Sequence, residues 1–161
     1  MEKDTIAHSR SVLCQIGTPD QANMRGTVHG GEILKMMDET AFVVAQKHCH
    51  KDTVTAGVDE ISFHNPIFVG NLITCTGELI YTSRSAMLVE VSVNVEDLRT
   101  EMETCALTAF FVMVALDEQA RPTDIPPLKL TTDEERARFE EGRQRYEVIK
   151  AKPKVCHMPL A

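Results

Sequence analysis

The sequence predicts an α+β domain in which an antiparallel sheet wraps around one central helix. Three observations support this class. Apolar residues recur at helical spacing from residue 32 to residue 48. Four strand-like segments then follow without another helical segment between them. The connections within that run are short, and short connections join neighbouring strands as antiparallel hairpins.

The start of the chain leads into the central helix. Residues 9–17 are a short strand candidate, and residues 18–26 are rich in the turn formers that end it. The apolar residues of the helix cover most of its circumference, so we expect the helix to be buried on nearly all sides.

The four strand candidates span residues 53–64, 71–82, 86–96 and 103–116. The third is the clearest, because valines at alternate positions from 89 to 95 are separated by polar residues. This alternation predicts one face in a core and the other in solvent.

The C-terminal part begins with a proline-rich stretch that excludes regular structure. A helix is then expected over about 132–152, with a capping box formed by Thr132 and Glu135 and charge on most sides. Such a helix is largely solvated. We expect a single domain over 1–161, with its core at about 8–128 and a flexible tail at 153–161.

Composition and charge limit the class of protein. The chain of 161 residues is 43% hydrophobic, enough for one domain with a substantial core. A net charge of −7 argues against general nucleic-acid binding. The N-terminus lacks a signal-peptide core, no apolar run reaches membrane-spanning length, and the five cysteines form no CxxC pair. We expect a cytoplasmic protein with reduced thiols, no membrane insertion and no nucleic-acid partner.

One buried helix followed by an antiparallel meander is most economically arranged as a hotdog fold, with the sheet curled around the helix. Such a sheet has two edge strands and is too small to bury the helix completely. Pairing with a second copy into a continuous sheet is therefore expected, which implies a homo-oligomer.

An aspartate within the apolar helix is the first candidate functional residue. On a helix, Asp38 shares its face with Leu34, Ala41 and Phe42. A buried carboxylate is costly unless it is paired, so its presence suggests a use. The pattern alone leaves open whether Asp38 acts on a ligand or hydrogen-bonds a loop across an interface.

The residues before the helix are the second candidate. His29, Gly30 and Gly31 directly precede it, and glycines at a helix start let a ligand approach backbone N–H groups where the dipole favours negative charge. This is a possible oxyanion hole for acyl transfer. Loop packing is the alternative, and His29 is either an acid or a residue that fixes the loop. The run HCH at 48–50 predicts no metal site, because consecutive side chains at a helix end diverge.

Five blocks of the sequence closely resemble the hotdog-fold acyl-CoA thioesterases of the YciA and brain acyl-CoA hydrolase type. They are TPDQANMRGTVHGGEILKMMDETA, VTAGVDEISFHNPIFVG, YTSRSAMLVEVSV, FFVMVALDEQARPTDIPP and RFEEGRQRY, and they cover about residues 8–150. The resemblance implies hydrolysis of fatty acyl-CoA to free fatty acid and CoA, without a cofactor.

The resemblance also implies roles for particular residues. Asp38 falls on the family's essential aspartate, the general base or else the nucleophile. Asn23 falls on its essential asparagine, which comes from the opposing subunit of a homodimer. Gly30 and Gly31 would then be oxyanion donors. The implied assembly is a hexamer built from three dimers.

The family binds CoA through the hairpin that corresponds to Ser83, Arg84 and Ser85. This chain has Ser83 where the family usually has glycine. Two other functions stay open: a hotdog hydratase or dehydratase, for which His64 is the candidate catalytic histidine, and a non-catalytic acyl-CoA-binding sensor.

Overall fold

The computed structural model describes residues 9–154, which form a five-stranded antiparallel sheet with one long helix on each of its faces. The strand order is β1-β3-β4-β5-β2. The elements are β1 Ser11–Ile16, α1 Gly30–Cys49, β2 Asp52–Phe63, β3 Leu72–Thr82, β4 Ala86–Asp97, β5 Met102–Leu116 and α2 Asp133–Ala151.

The expected helices and strands are confirmed, with boundaries that differ by a few residues at most. Helix α1 begins two residues earlier than expected because His29 caps it, accepting from Gly31 N–H through its side chain. It ends at Cys49, and the C-cap residue His50 adopts the left-handed conformation with φ of 52°. The tail expected at 153–161 lies outside the described residues from residue 155 onward.

Helix α1 packs closely on the inner face of the sheet at Gly77. A Cβ atom at this position would lie 3.0 Å from the methyl groups of Thr40 and Val44, so a larger residue would push the helix away. The valines of β4 predicted to face a core are all buried against this helix. The inner core therefore lies between α1 and the three central strands.

The outer face of the sheet departs from the expectation. Leu88 on β4, on the same face as the polar residues expected in solvent, is fully buried because α2 covers it. Phe139 and Tyr146 of α2 pack on Tyr81, with ring centroids 5.0 and 5.2 Å apart from it. Only Gly142 of α2 is buried, so the expected solvated character holds for the rest of the helix.

The N-cap of α2 confirms half of the expected capping box. Glu135 N–H donates to Thr132 Oγ1 at 3.1 Å. The Glu135 carboxylate, however, accepts from the backbone and hydroxyl of Thr131 rather than from Thr132. The helix start is fixed by both threonines.

The expectation that α1 is buried on nearly all sides is wrong within one chain. Lys35, Glu39 and Phe42 are exposed along one side of the helix, and Phe42 is 44% accessible. Beside them runs β2, the edge strand, with exposed apolar side chains that include Phe63 at 61%. The sheet covers the helix on one side and leaves an apolar strip open at the β2 edge.

Two further expectations concern the described residues. None of the helices within residues 9–154 is both long and apolar enough to cross a bilayer. Cys14, Cys49, Cys75 and Cys105 are free thiols, whereas Cys156 lies outside the described range.

Candidate active site

The loop before α1 is held in place by backbone hydrogen bonds. His29 N–H donates to the Gln21 carbonyl and Val28 N–H to the Ile67 carbonyl, both at 2.7 Å. The first bond closes the loop on itself, and the second ties it to the segment that follows β2. The start of α1 therefore has a fixed position relative to the sheet.

Asn23 organises this loop through its side chain. Its Oδ1 accepts from Arg25 N–H at 2.9 Å, and its Nδ2 donates to Thr27 Oγ1 at 2.9 Å. Gly26, in the same turn, has a φ of 78° that favours glycine. The half-buried amide is thereby held at one orientation.

A cavity of about 360 Å³ opens beside Asn23 and the first turn of α1. His64 lines it and places Nε2 3.1 Å from Thr108 Oγ1. Phe63 lies so close to Gly30 that a Cβ atom there would come within 3.2 Å of its ring. The cavity is lined by Asn23, Thr27, Val28, Gly30, Ile33, Phe63, His64, Asn65, Pro66, Ile67 and Leu107.

The two glycines differ in how their N–H groups are used. Gly31 N–H donates to His29 Nδ1 at 3.0 Å and is thus engaged by its own N-cap. Gly30 N–H makes no hydrogen bond to any residue between 9 and 154. Gly30 is therefore the better-placed donor for an oxyanion in this conformation.

Asp38 lies two turns further along α1 and is half-buried. Its Oδ1 accepts a hydrogen bond from Thr55 Oγ1 at 2.5 Å. Thr55 sits on β2, the edge strand, and its hydroxyl also lies 3.5 Å from Met113 Sδ. The carboxylate is therefore directed toward the sheet edge. The hydrogen bond from Thr55 offsets part of the free-energy cost of placing a carboxylate on an apolar helix face.

Sequence reasoning missed Thr55. The available signal was weak: in the edge-strand run TVTAG, two threonines alternate, and nothing in the spacing links either of them to Asp38. The contact depends on how β2 folds back beside α1.

Asn23 and Asp38 do not meet within one chain. Asp38 is not among the residues that line the cavity at Asn23. Eight residues of helix, a rise of about 12 Å, separate Asp38 from Gly30. A site that uses both residues would have to take them from two different chains.

The hairpin between β3 and β4 carries the remaining candidates. Ser83 closes the turn, because its Oγ accepts from Ala86 N–H at 3.1 Å. Ser85 contributes its carbonyl to Ala115 N–H at 3.0 Å. Arg84 projects outward and pairs with Asp124, with Nη1 3.0 Å from Oδ1.

The HCH run forms no shared site. His48 is buried and donates from Nε2 to the Pro126 carbonyl at 2.7 Å, whereas His50 is exposed at the helix C-cap. Within residues 9–154 no three His, Cys, Asp or Glu side chains are arranged to hold a metal ion.

Comparison with known proteins identifies the class to which this fold and site belong. The sequence-family model of the thioesterase superfamily matches residues 25–102. The chain is 39% identical over 153 residues to the rat cytosolic acyl coenzyme A thioester hydrolase, covering 94% of this chain and 40% of that protein. It is 34% identical to the protein VdlD of Helicobacter pylori, covering 90% of this chain and 83% of that one. The chain thus spans less than half of the rat protein.

Solved structures agree in fold. An apo-hexameric acyl-CoA thioesterase superposes with a TM-score of 0.85 at 32% identity, covering 91% of this chain and 94% of that one. The acyl-CoA hydrolase of Staphylococcus aureus, solved with butyryl coenzyme A and coenzyme A, gives a TM-score of 0.82 at 27% identity, covering 91% and 89%. Three further structures of that hydrolase each carry a single alanine substitution, which replaces an asparagine in one, an aspartate in another and a threonine in the third.

These likenesses establish the family. The chain belongs to the thioesterase superfamily and has the hotdog fold.

Proposed function

We propose that this protein is an acyl-CoA thioesterase, which hydrolyses acyl-CoA to a carboxylic acid and CoA. The observation that carries the proposal is the Asp38 carboxylate, oriented by Thr55 beside the open edge of the sheet. A carboxylate at such a position can activate water or attack a thioester carbonyl, and the named relatives are acyl-CoA thioester hydrolases.

The spacing of the mutated residues in the Staphylococcus aureus hydrolase supports this assignment. There the aspartate follows the asparagine by fifteen positions and precedes the threonine by seventeen. Asn23, Asp38 and Thr55 have the same spacing here. We therefore assign these three residues to the site.

The roles follow from the chemistry of a thioester. Asp38 removes a proton from the attacking water, and the N–H of Gly30 of the partner subunit, which lines the same cavity as that subunit's Asn23, stabilises the oxyanion that forms. CoA leaves as a thiolate, which requires little protonation. Direct attack by Asp38 to give an acyl anhydride is the second route open to the same geometry.

The site is completed by a second copy of the chain. Asn23 and Asp38 lie apart within one chain, and the open strip at the β2 edge is where another sheet would pair. In the dimer, Asn23 of the partner subunit orients the water or the carbonyl near Asp38. Hexameric relatives favour a trimer of such dimers, and the cytosolic relatives favour a cytoplasmic location.

Arg84, in the hairpin between β3 and β4, is assigned to CoA. Its exposed guanidinium supplies positive charge for phosphate in an otherwise acidic protein. Ser83 and Ser85 hold the turn that presents it.

The first test is release of free thiol from acyl-CoAs of increasing chain length. Asp38→Asn keeps the size and most hydrogen bonds of the side chain but removes the base, so turnover should fall by about 10² to 10⁴. Near-normal turnover by a folded Asp38→Asn protein would contradict the assignment.

His64 is the matched comparison, because it lines the cavity and would be the catalytic histidine of a hydratase. Under the proposed function, His64→Ala reduces thiol release far less than Asp38→Asn does. A protein that hydrates enoyl-CoA, depends on His64 and releases no thiol would be a hydratase instead.

A further inference from the structure

The loop after β5 places Asp124 in contact with two cations, one through its carboxylate and one through its backbone carbonyl. Asp124 Oδ1 pairs with Arg84 Nη1 at 3.0 Å, and the Asp124 carbonyl accepts from Lys51 Nζ at 2.5 Å. Lys51 immediately follows the C-cap of α1, whereas Arg84 is at the tip of the β3–β4 hairpin. Side chains from two separate parts of the chain thus converge on Asp124.

Backbone hydrogen bonds fix the segment of the loop that carries Asp124. Ile125 N–H donates to the Arg84 carbonyl and Thr123 N–H to the Ala115 carbonyl, each at 2.9 Å. The residues on both sides of Asp124 are therefore tied to the end of the sheet. Its contact with Arg84 is a consequence of the loop path as well as of charge.

The register of the sheet relates this cluster to Asp38. Thr55 and Met87 both pair with Met113, so they lie in one row across β2, β5 and β4. Lys51 precedes Thr55 by four residues and Arg84 precedes Met87 by three. Because β2 and β4 run in the same direction, both cations lie about 10–13 Å beyond that row, toward the same end of the sheet.

We infer that the Asp124 carboxylate competes with a phosphate group of CoA for Arg84, and that the phosphate displaces this carboxylate to bind between Arg84 and Lys51. This inference rests on the proposed function. It makes Lys51 a further CoA-binding residue and Asp124 an internal competitor that weakens CoA binding.

The balance of charges favours displacement. The Arg84–Asp124 pair is about three-quarters exposed on both sides, and such pairs contribute little. A phosphate carries more charge than a carboxylate and offers more acceptor oxygens. The pantetheine arm of CoA is long enough to connect a thioester near Asp38 with this cluster.

Asp124→Asn removes the competing charge and keeps the shape of the side chain. Its KM for an acyl-CoA should fall by about two- to five-fold at low salt, the fold-change that corresponds to loss of an exposed pair. Lys51→Ala should raise KM, and Lys51→Arg should restore it. Glu118→Gln, an exposed residue of the same loop, makes the same change in net charge and should leave KM unaltered.

An acyl thioester of N-acetylcysteamine, which has no phosphate, separates binding at this cluster from effects on chemistry. The Asp124→Asn and Lys51→Ala variants should hydrolyse it as the wild type does. A dephospho-CoA ester then shows which phosphate displaces Asp124: the Asp124→Asn effect disappears if it is the 3′-phosphate and persists if it is the diphosphate.

Equal KM values for wild type and both Asp124→Asn and Asp124→Ala would overturn the inference while leaving hydrolysis intact. An altered rate with the phosphate-free ester would also overturn it, because the variants would then act on the chemistry. Absence of hydrolysis by the wild type would instead reject the proposed function, and this inference with it.

Discussion

The Asp38 carboxylate takes its orientation from a residue on another element. Thr55 donates to it at 2.5 Å from the edge strand, so the hydroxyl fixes the side chain in the direction of the open strip. A base must be correctly placed before its basicity matters, because small displacements in an active site cost large factors in rate.

Thr55→Val keeps the volume and branching of the side chain and removes this hydrogen bond. We expect kcat to fall about ten-fold or more, while KM changes little, because the contact orients the base and does not bind CoA. Thr55→Ser, which retains the hydroxyl, should stay close to wild type. Steady-state kinetics with one acyl-CoA measures both, and equal losses in the two variants would indicate a packing role.

A buried thiol provides a pH-dependent test of the core. Burial beneath α1 raises the pKa of Cys75 from 9.0 to about 11, while a hydrogen bond from Thr40 opposes the shift. The unfolded thiol deprotonates at the lower pH, so between about pH 9 and pH 11 the unfolded state holds fewer protons. Stability is therefore lost as pH rises through this window.

Urea unfolding at pH 8 and pH 10 should reveal this loss. The wild type should lose more stability between the two values than Cys75→Ala, which has no thiol to titrate. The difference should reach about 1 kcal/mol. An equal loss of unfolding free energy in the two proteins would show that the Cys75 thiol is no harder to ionise in the folded than in the unfolded chain.

Candidate residues were predictable from the sequence where their signal is local. Asp38 within an apolar stripe and two glycines at a helix start are visible in the order of residues alone. The contacts between distant residues were not predictable: Thr55 reaches Asp38 through the folding of β2 beside α1, Asp124 reaches Arg84 through a loop path, and neither has a distinctive neighbour in sequence. Engagement of Gly31 by His29 likewise depends on a side-chain rotation.

At the scale of elements, the many charged residues of α2 make its narrow apolar stripe hard to recognise in the sequence. The elements themselves follow from periodicity, which is local and strong in α1 and β4. In α2, residues Phe139, Gly142, Tyr146 and Ile149 recur at helical spacing, a narrow stripe among many charges. The stripe itself is visible in the sequence. The surface of β3 and β4 that it covers could be found only from the fold.

Gly142 is the point of closest approach between α2 and the sheet. A Cβ atom there would lie 3.0 Å from both the Ile80 carbonyl and Tyr81 Cβ, atoms that cannot move without shifting β3. Gly142→Ala should therefore destabilise the fold by about 1–3 kcal/mol, although alanine is the better helix former.

Thermal unfolding measures this effect, with Glu141→Ala as the exposed control in the same helix. The control should unfold close to wild type. A Gly142→Ala protein that melts at or above the wild-type temperature would show that helix propensity outweighs the contact and that α2 is loosely held.

At the scale of the whole molecule, the proposed site is shared between subunits. Asn23→Ala and Asp38→Asn homo-oligomers should each be nearly inactive, because every site lacks one of two residues that act together. A dimer with one chain of each type holds one site with both defects and one with neither. Isolated, doubly tagged heterodimers should therefore recover roughly half of the wild-type activity.

The alternative outcome is equally clear. If both residues of a site come from the same chain, every site of the heterodimer carries one defect and no activity returns. That result would reject the shared site, while the single variants would still decide whether the protein is a thioesterase.

The strand order has a consequence for how the chain acquires its active form during synthesis. β2 emerges soon after α1, yet its neighbour in the sheet is β5, which ends at Leu116. Until β5 has left the ribosome, β2 has no strand to pair with and the apolar side of α1 lacks part of its cover. A nascent chain stalled before β5 would expose the unpaired edge of β2, and Thr55 would lack its strand partner Met113.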